Sequence, residues 1–115
     1  MSPQAMEAVA LALPGATLSI QWGEAHVIKV GGKIFAIIAA DGGLSFKASD
    51  IAFQALVEGG QARPAPYLAR ARWVRFDDPS VLEPQDIADW LAQAHALVVK
   101  GLARAQRQAL SPTQS

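Results

Sequence analysis

The sequence contains no cysteine, which excludes disulfide bonds, thiolate metal sites and cysteine nucleophiles. Imidazole is scarce: His26 and His95 are the only two, and they do not form a pair at metal-ligand spacing. No Gly-x-Ser-x-Gly stretch occurs, so the nucleophile elbow of the hydrolases is absent. Gly31-Gly32-Lys33 lacks the rest of a phosphate loop, because Val27 stands where the earlier glycine is needed and Ile34 follows the lysine instead of Ser or Thr. Carboxylate pairs such as Asp77-Asp78 precede Pro79 in a turn, where such groups cap and solubilise. The acids Glu83, Asp86 and Asp89, without histidine or cysteine, make a poor transition-metal site. Long apolar runs are missing as well: the longest, residues 34–40, falls far short of the roughly 18 residues that span a bilayer. Residues 8–13 are apolar, but no Lys or Arg precedes Lys29 and Pro14-Gly15 cuts the run short, which predicts a short helix in place of a secretion signal. These absences predict a soluble, cytoplasmic, non-enzymatic protein with no cofactor, no metal and no membrane partner.

What is present suits one domain. The 115 residues are 51% hydrophobic and 17% charged, and a chain of this size can bury about two-thirds of its unfolded surface. Residues 1–110 are expected to form that domain, with 111–115 as a disordered tail. Ser2-Pro3 opens a capped helix that Pro14-Gly15 stops. Residues 17–22 are a weak strand candidate. Residues 26–30 and 33–38 flank Gly31-Gly32, the dipeptide that supplies positive φ at both centres of a two-residue hairpin turn. A regular hairpin puts His26, Ile28 and Val30 on one face with Lys33, Phe35 and Ile37, and sets Val27 and Lys29 opposite Ala36 and Ile34. The second of these strands is apolar on both faces, which predicts a central position in the sheet.

Asp41-Gly42-Gly43 turns the chain into a further antiparallel strand, residues 44–47. Ser49 or Asp50 then caps a helix carrying Ile51, Phe53, Leu56 and Val57, ended by Gly59-Gly60. Pro64 and Pro66 keep residues 61–71 out of any central strand, whereas residues 72–76 read as one. From Pro84 onward, Ile87, Trp90, Leu91, Ala94, Leu97, Val98, Leu102 and Ala105 mark one face of a long helix. The expected fold is α+β in two layers: an antiparallel sheet with helices on one face, in the order helix, three or four strands, helix, one or two strands, long helix.

The balance of ten basic and ten acidic residues hides segregation. Arg63, Arg70, Arg72 and Arg75 occur with no acid between residues 60 and 76, and Asp77, Asp78, Glu83, Asp86 and Asp89 follow. Arginine donates bidentate hydrogen bonds to phosphate and guanine, and Tyr67 and Trp73 interleave as stacking faces, which is chemistry suited to nucleic acid. Lys33 and Lys47, near the two turns, could add phosphate contacts. Lys100, Arg104 and Arg107 make a second basic stripe at i, i+4 and i+7, a pattern that the helix dipole favours without any partner. His26 reads as a strand-start residue and His95 as a helix-flank residue.

Taken in order and approximate spacing, Leu13-Pro14-Gly15, Trp22-Gly23, Val30 to Ala36, Leu44 to Lys47, Pro64 to Leu68 and Trp73-Val74 resemble the MmcQ/YjbR family. The resemblance spans residues 13 to about 99. It implies a CyaY-like or secretion-chaperone-like fold, and a DNA-binding role that the family carries through similarity to the double-wing DNA-binding domain of a phage transcription factor. Where many members have Ser-Tyr before a hydrophobic pair in the last helix, this chain has Ala94-His95. The expected partner is DNA, held by Lys33, Lys47, Arg63, Tyr67, Arg70, Arg72, Trp73 and Arg75. The alternative is a protein or peptide, or a second copy of the chain, taken through Trp22, Tyr67, Trp73 and their apolar neighbours.

Overall fold

A computed structural model describes residues 1–21, 23–65 and 72–102. Helix α1 (Pro3–Leu11) begins where the Ser2 hydroxyl accepts the Ala5 N–H at 3.1 Å and Pro3 takes the first turn. Four strands follow: β1 (Ala16–Gln21), β2 (Ala25–Val30), β3 (Lys33–Ile38) and β4 (Leu44–Lys47). Helix α2 (Asp50–Glu58) is capped by Ser49, whose hydroxyl accepts the Ala52 N–H. Then come β5 (Arg63–Pro64), β6 (Trp73–Phe76), one turn of 3-10 helix at Pro79–Val81, and α3 (Pro84–Lys100). The strands form one antiparallel sheet in the order β1-β2-β3-β4-β6-β5, so β3 is internal as its apolar sequence requires.

The fold is therefore α+β, with four strands before α2 and two after it. Ile28, Ala36, Phe46 and Val74 occupy one cross-strand row and share a single buried cluster with Met6 of α1, Leu56 of α2, and Ile87, Leu91 and Ala94 of α3. Phe46, Phe76 and Trp90 stack within it, with ring centroids 4.9–6.0 Å apart. Val27, Trp73 and Ala65 are buried too but stand outside that cluster, so the second face of the sheet is not open to water along its whole width. No helix among the described residues is long and apolar enough to cross a membrane.

The hairpin departs from its expected register. Gly31 (φ 59°) and Gly32 (φ 79°) make the turn as the sequence demands, and Val30 pairs with Lys33 and Lys29 with Ile34. Beyond them a β-bulge intervenes, so Ile28 meets Ala36, Val27 meets Ile37 and His26 meets Ile38. The bulge lets Phe35 and Ala36, adjacent in sequence, both bury on the helix side, where strict alternation would have sent one of them to the second face. It also moves Ile37 off the face shared by His26, Ile28 and Val30 and puts Ile38 there.

Candidate nucleic-acid interface

Strand alternation places Arg75 on the second face of the sheet, in the cross-strand row Ser19, Val27, Ile37, Ser45, Arg75, Arg63. Both arginines in this row are held by carboxylates. Arg63 binds Asp77 through Nε and Nη2, and Arg75 donates from Nε to Asp77 at 2.7 Å and from Nη2 to Asp41 at 2.9 Å. The Arg75 side chain is only 13% exposed, and its guanidinium lies so close over Gly43 that a Cβ there would sit 2.2 Å from Nη2. The Arg63 guanidinium, followed by that of Arg75, holds the Asp77 carboxyl at about 2, below its ordinary 3.8. Asp41 is lowered as well, first by the Gly43 N–H and then by Arg75. This cluster ties the β3–β4 turn to β6 and β5.

Arg72 sits apart. It enters β6 with left-handed backbone (φ 61°), its carbonyl accepts the Ala48 N–H, its Nε donates to Asp50, and its guanidinium lies 5.3 Å from the Phe53 ring centroid. Trp73 follows on the second face opposite Lys47, with only 5% of its surface exposed, so its indole is packed and presents no free stacking face. Tyr67 and Arg70 lie outside the described residues, as do Trp22, Arg104, Ala105, Arg107 and the 111–115 tail. Of the predicted residues, the structure thus brings Arg63 together with Arg75 near one end of the sheet, and Lys33, Lys47, Arg72 and Trp73 near the other.

Among the described residues, the lysines differ from Arg63, Arg72 and Arg75 in having no carboxylate. Register puts the Gly31-Gly32 turn, the end of β4 and the start of β6 at the same end of the sheet. The last turn of α3 arrives there too, since Leu102 packs on Gly31. Lys29, Lys33, Lys47 and Lys100 gather at this end, and none has an ion-pair partner among the described residues. Glu24 in the β1–β2 turn, Asp78 after β6, and Glu83 and Asp86 at the start of α3 occupy the opposite end with Asp41 and Asp77, which are matched by Arg75 and Arg63, while Asp50, paired with Arg72, lies at the lysine end. Six residues of strand separate the two poles by roughly 20 Å. A molecule of zero net charge therefore presents a cationic pole and an anionic one.

Sequence reasoning missed the carboxylates that neutralise Arg63 and Arg75. One signal was available, because residues two apart on a strand share a face and Arg75 and Asp77 are so spaced. It also missed a cleft of about 470 Å³ between α1 and the acidic end of the sheet, lined in part by Glu7, Ile20, Glu24, His26 and Ile38. His26 Nδ1–H donates to the Glu7 carboxylate across it. His95 donates from Nε2 to the Pro14 carbonyl at 2.7 Å and meets Phe35 edge-on at 5.3 Å, so it fastens the α1–β1 turn to α3. No group of three or more His, Cys, Asp or Glu side chains suited to a metal occurs among the described residues. Compared with known proteins, the chain matches the family model described as YjbR over residues 11–97, and no curated protein matches it.

Proposed function

The chain belongs to the YjbR family, and on that premise we propose that it is a non-enzymatic DNA-binding protein of the cytoplasm whose lysine pole contacts the phosphate backbone. The observation that carries this reading is the contrast in charge neutralisation among the described residues: Arg63, Arg72 and Arg75 are each paired to a carboxylate, whereas Lys29, Lys33, Lys47 and Lys100 are not. Ammonium groups at a hairpin tip and a helix end act as point charges toward phosphate and carry no base code. The expected binding is therefore of low sequence selectivity and driven by counterion release, with log K falling by about 0.9 per phosphate contact for each unit of log salt. Arg63 and Arg75 serve the fold in this reading.

The test is a fluorescence-anisotropy titration of a labelled mixed-sequence duplex at low and at physiological salt. Wild type should bind at low salt and weaken steeply as salt rises. Lys33→Glu/Lys47→Glu should lose binding while keeping its tryptophan emission, and Arg63→Gln should bind like wild type. A folded wild-type protein that ignores DNA at low salt would refute the proposal, as would loss of binding in Arg63→Gln alone.

A further inference from the structure

The two edges of the sheet are built differently. β5 is two residues long and contains Pro64, so it offers almost nothing for another strand to pair with. At the opposite edge, β1 is six residues long, Ala-Thr-Leu-Ser-Ile-Gln, with no proline and no charge. Every second residue of such a strand turns its N–H and C=O away from the sheet. Leu18 and Ile20, on the helix side, are 40% and 61% exposed. Proteins ordinarily blunt an edge of this kind with lysine, proline or a bulge; here β1 carries none of them, and no described strand pairs with its outer side.

The geometry points to a second copy of this chain as the occupant, paired antiparallel along β1 about a two-fold axis at Ser19. In that register Ser19 faces Ser19 of the other copy, Leu18 faces Ile20 twice, and Thr17 faces Gln21. The strand is self-complementary: four apolar side chains meet on the helix side, uncharged polar ones meet on the other, and no like charges oppose each other across the axis. Ile20 also lines the cleft closed on its far side by Ile38 and by the Glu7–His26 pair, so Leu18 of the other copy enters its mouth. At low ionic strength, where the Debye length is longer, the charge distribution favours the same orientation. Thr17 is the β1 residue opposite Lys29, and Gln21 is the one opposite Ala25, next to Glu24. Antiparallel pairing thus sets the lysine pole of each copy beside the acidic pole of the other, about three strand spacings or roughly 14 Å apart, whereas parallel pairing would align like poles. A contact of one strand and two apolar anchors is small, which implies association in the micromolar range.

Because the chain has no cysteine, Ser19→Cys creates a single thiol and any disulfide must join two chains. Directly opposed residues of an antiparallel pair have Cα atoms about 4.5–5.5 Å apart, within disulfide range. Under mild oxidation Ser19→Cys should give a covalent dimer far faster than Ile51→Cys, which puts a thiol at an 83% exposed site on α2. Adding Ile20→Lys should abolish the difference, and wild type should show a concentration-dependent dimer by sedimentation velocity that Ile20→Lys lacks. Equal crosslinking of the two cysteine variants, or a wild-type chain monomeric at high micromolar concentration, would overturn the inference. So would a dimer indifferent to Ile20→Lys. DNA is absent from every arm, so the result is independent of the nucleic-acid reading.

Discussion

Asp77 is exposed to solvent, yet it joins β5 to β6 by accepting from Arg63 and Arg75 at once. Its carboxyl titrates at about 2 in the folded protein against an ordinary 3.8. A carboxyl so depressed contributes stability that is present above pH 4 and lost as the pH falls toward 2, since in that window the unfolded chain binds more protons than the folded one. The midpoint of thermal unfolding, followed by circular dichroism, should therefore fall between pH 4 and 2 more steeply in wild type than in Asp77→Asn. Equal slopes would show that the paired arginines do not act on this carboxyl. The same cluster explains why the run Arg63 to Arg75 looked like a binding surface: charge counted along the chain ignores what the sheet brings from residues 41 and 77.

Among the elements, the β2–β3 hairpin was the most legible and also the most misread. Its turn follows from chemistry that one dipeptide carries, positive φ at two successive positions, and both glycines adopt it. The bulge does not follow from local chemistry. It answers to α3, whose His95 meets Phe35 and whose Ile87, Leu91 and Ala94 share the buried cluster with Ala36, and no local pattern in residues 26–38 encodes that demand. Helix caps at Ser2 and Ser49 were readable for the reason the turn was: each is satisfied within three residues. The His95–Pro14 contact spans 81 positions and was not. The two turn glycines also differ in surroundings. A Cβ on Gly31 would lie 2.6 Å from Leu102 Cδ1, while one on Gly32 meets nothing within 4 Å. Both substitutions carry the left-handed penalty of about 1–2 kcal/mol, and Gly31→Ala should cost roughly 1 kcal/mol more, because only the end of the Leu102 side chain has to give way. Urea unfolding should show the excess shrinking in a Leu102→Ala background; a persistent excess would mean that Leu102 does not rest on the turn.

At the scale of the whole molecule, separation of charge matters more than its sum. Ten cations and ten anions suggest indifference to a charged surface, but a pole of four lysines without an ion-pair partner among the described residues, roughly 20 Å from a pole of carboxylates, lets the molecule turn one end toward it. At neutral pH the protein should be retained on a cation exchanger at low salt despite having no net charge. Lys33→Gln/Lys47→Gln should elute earlier, and Arg63→Gln should shift little because its charge is already matched by Asp77. Identical elution of all three would mean that the lysines do not act together. The family and the α+β order were legible from short ordered motifs and turn signals. The poles were not, because they arise from strands and helices running back and forth between two ends, and linear sequence does not record which end a residue reaches.

The seat of Leu102 on Gly31 has a consequence for how the molecule comes into being. Synthesis is vectorial: Lys33 leaves the ribosome about 70 residues before Leu102, an interval of several seconds at roughly 5–20 residues per second. Throughout that interval the nascent hairpin lacks both the leucine that rests on its turn and the lysine that completes its charge. A growing chain is thus unable to present the finished cationic end, and the surface comes into existence only when the last helix has emerged and folded back.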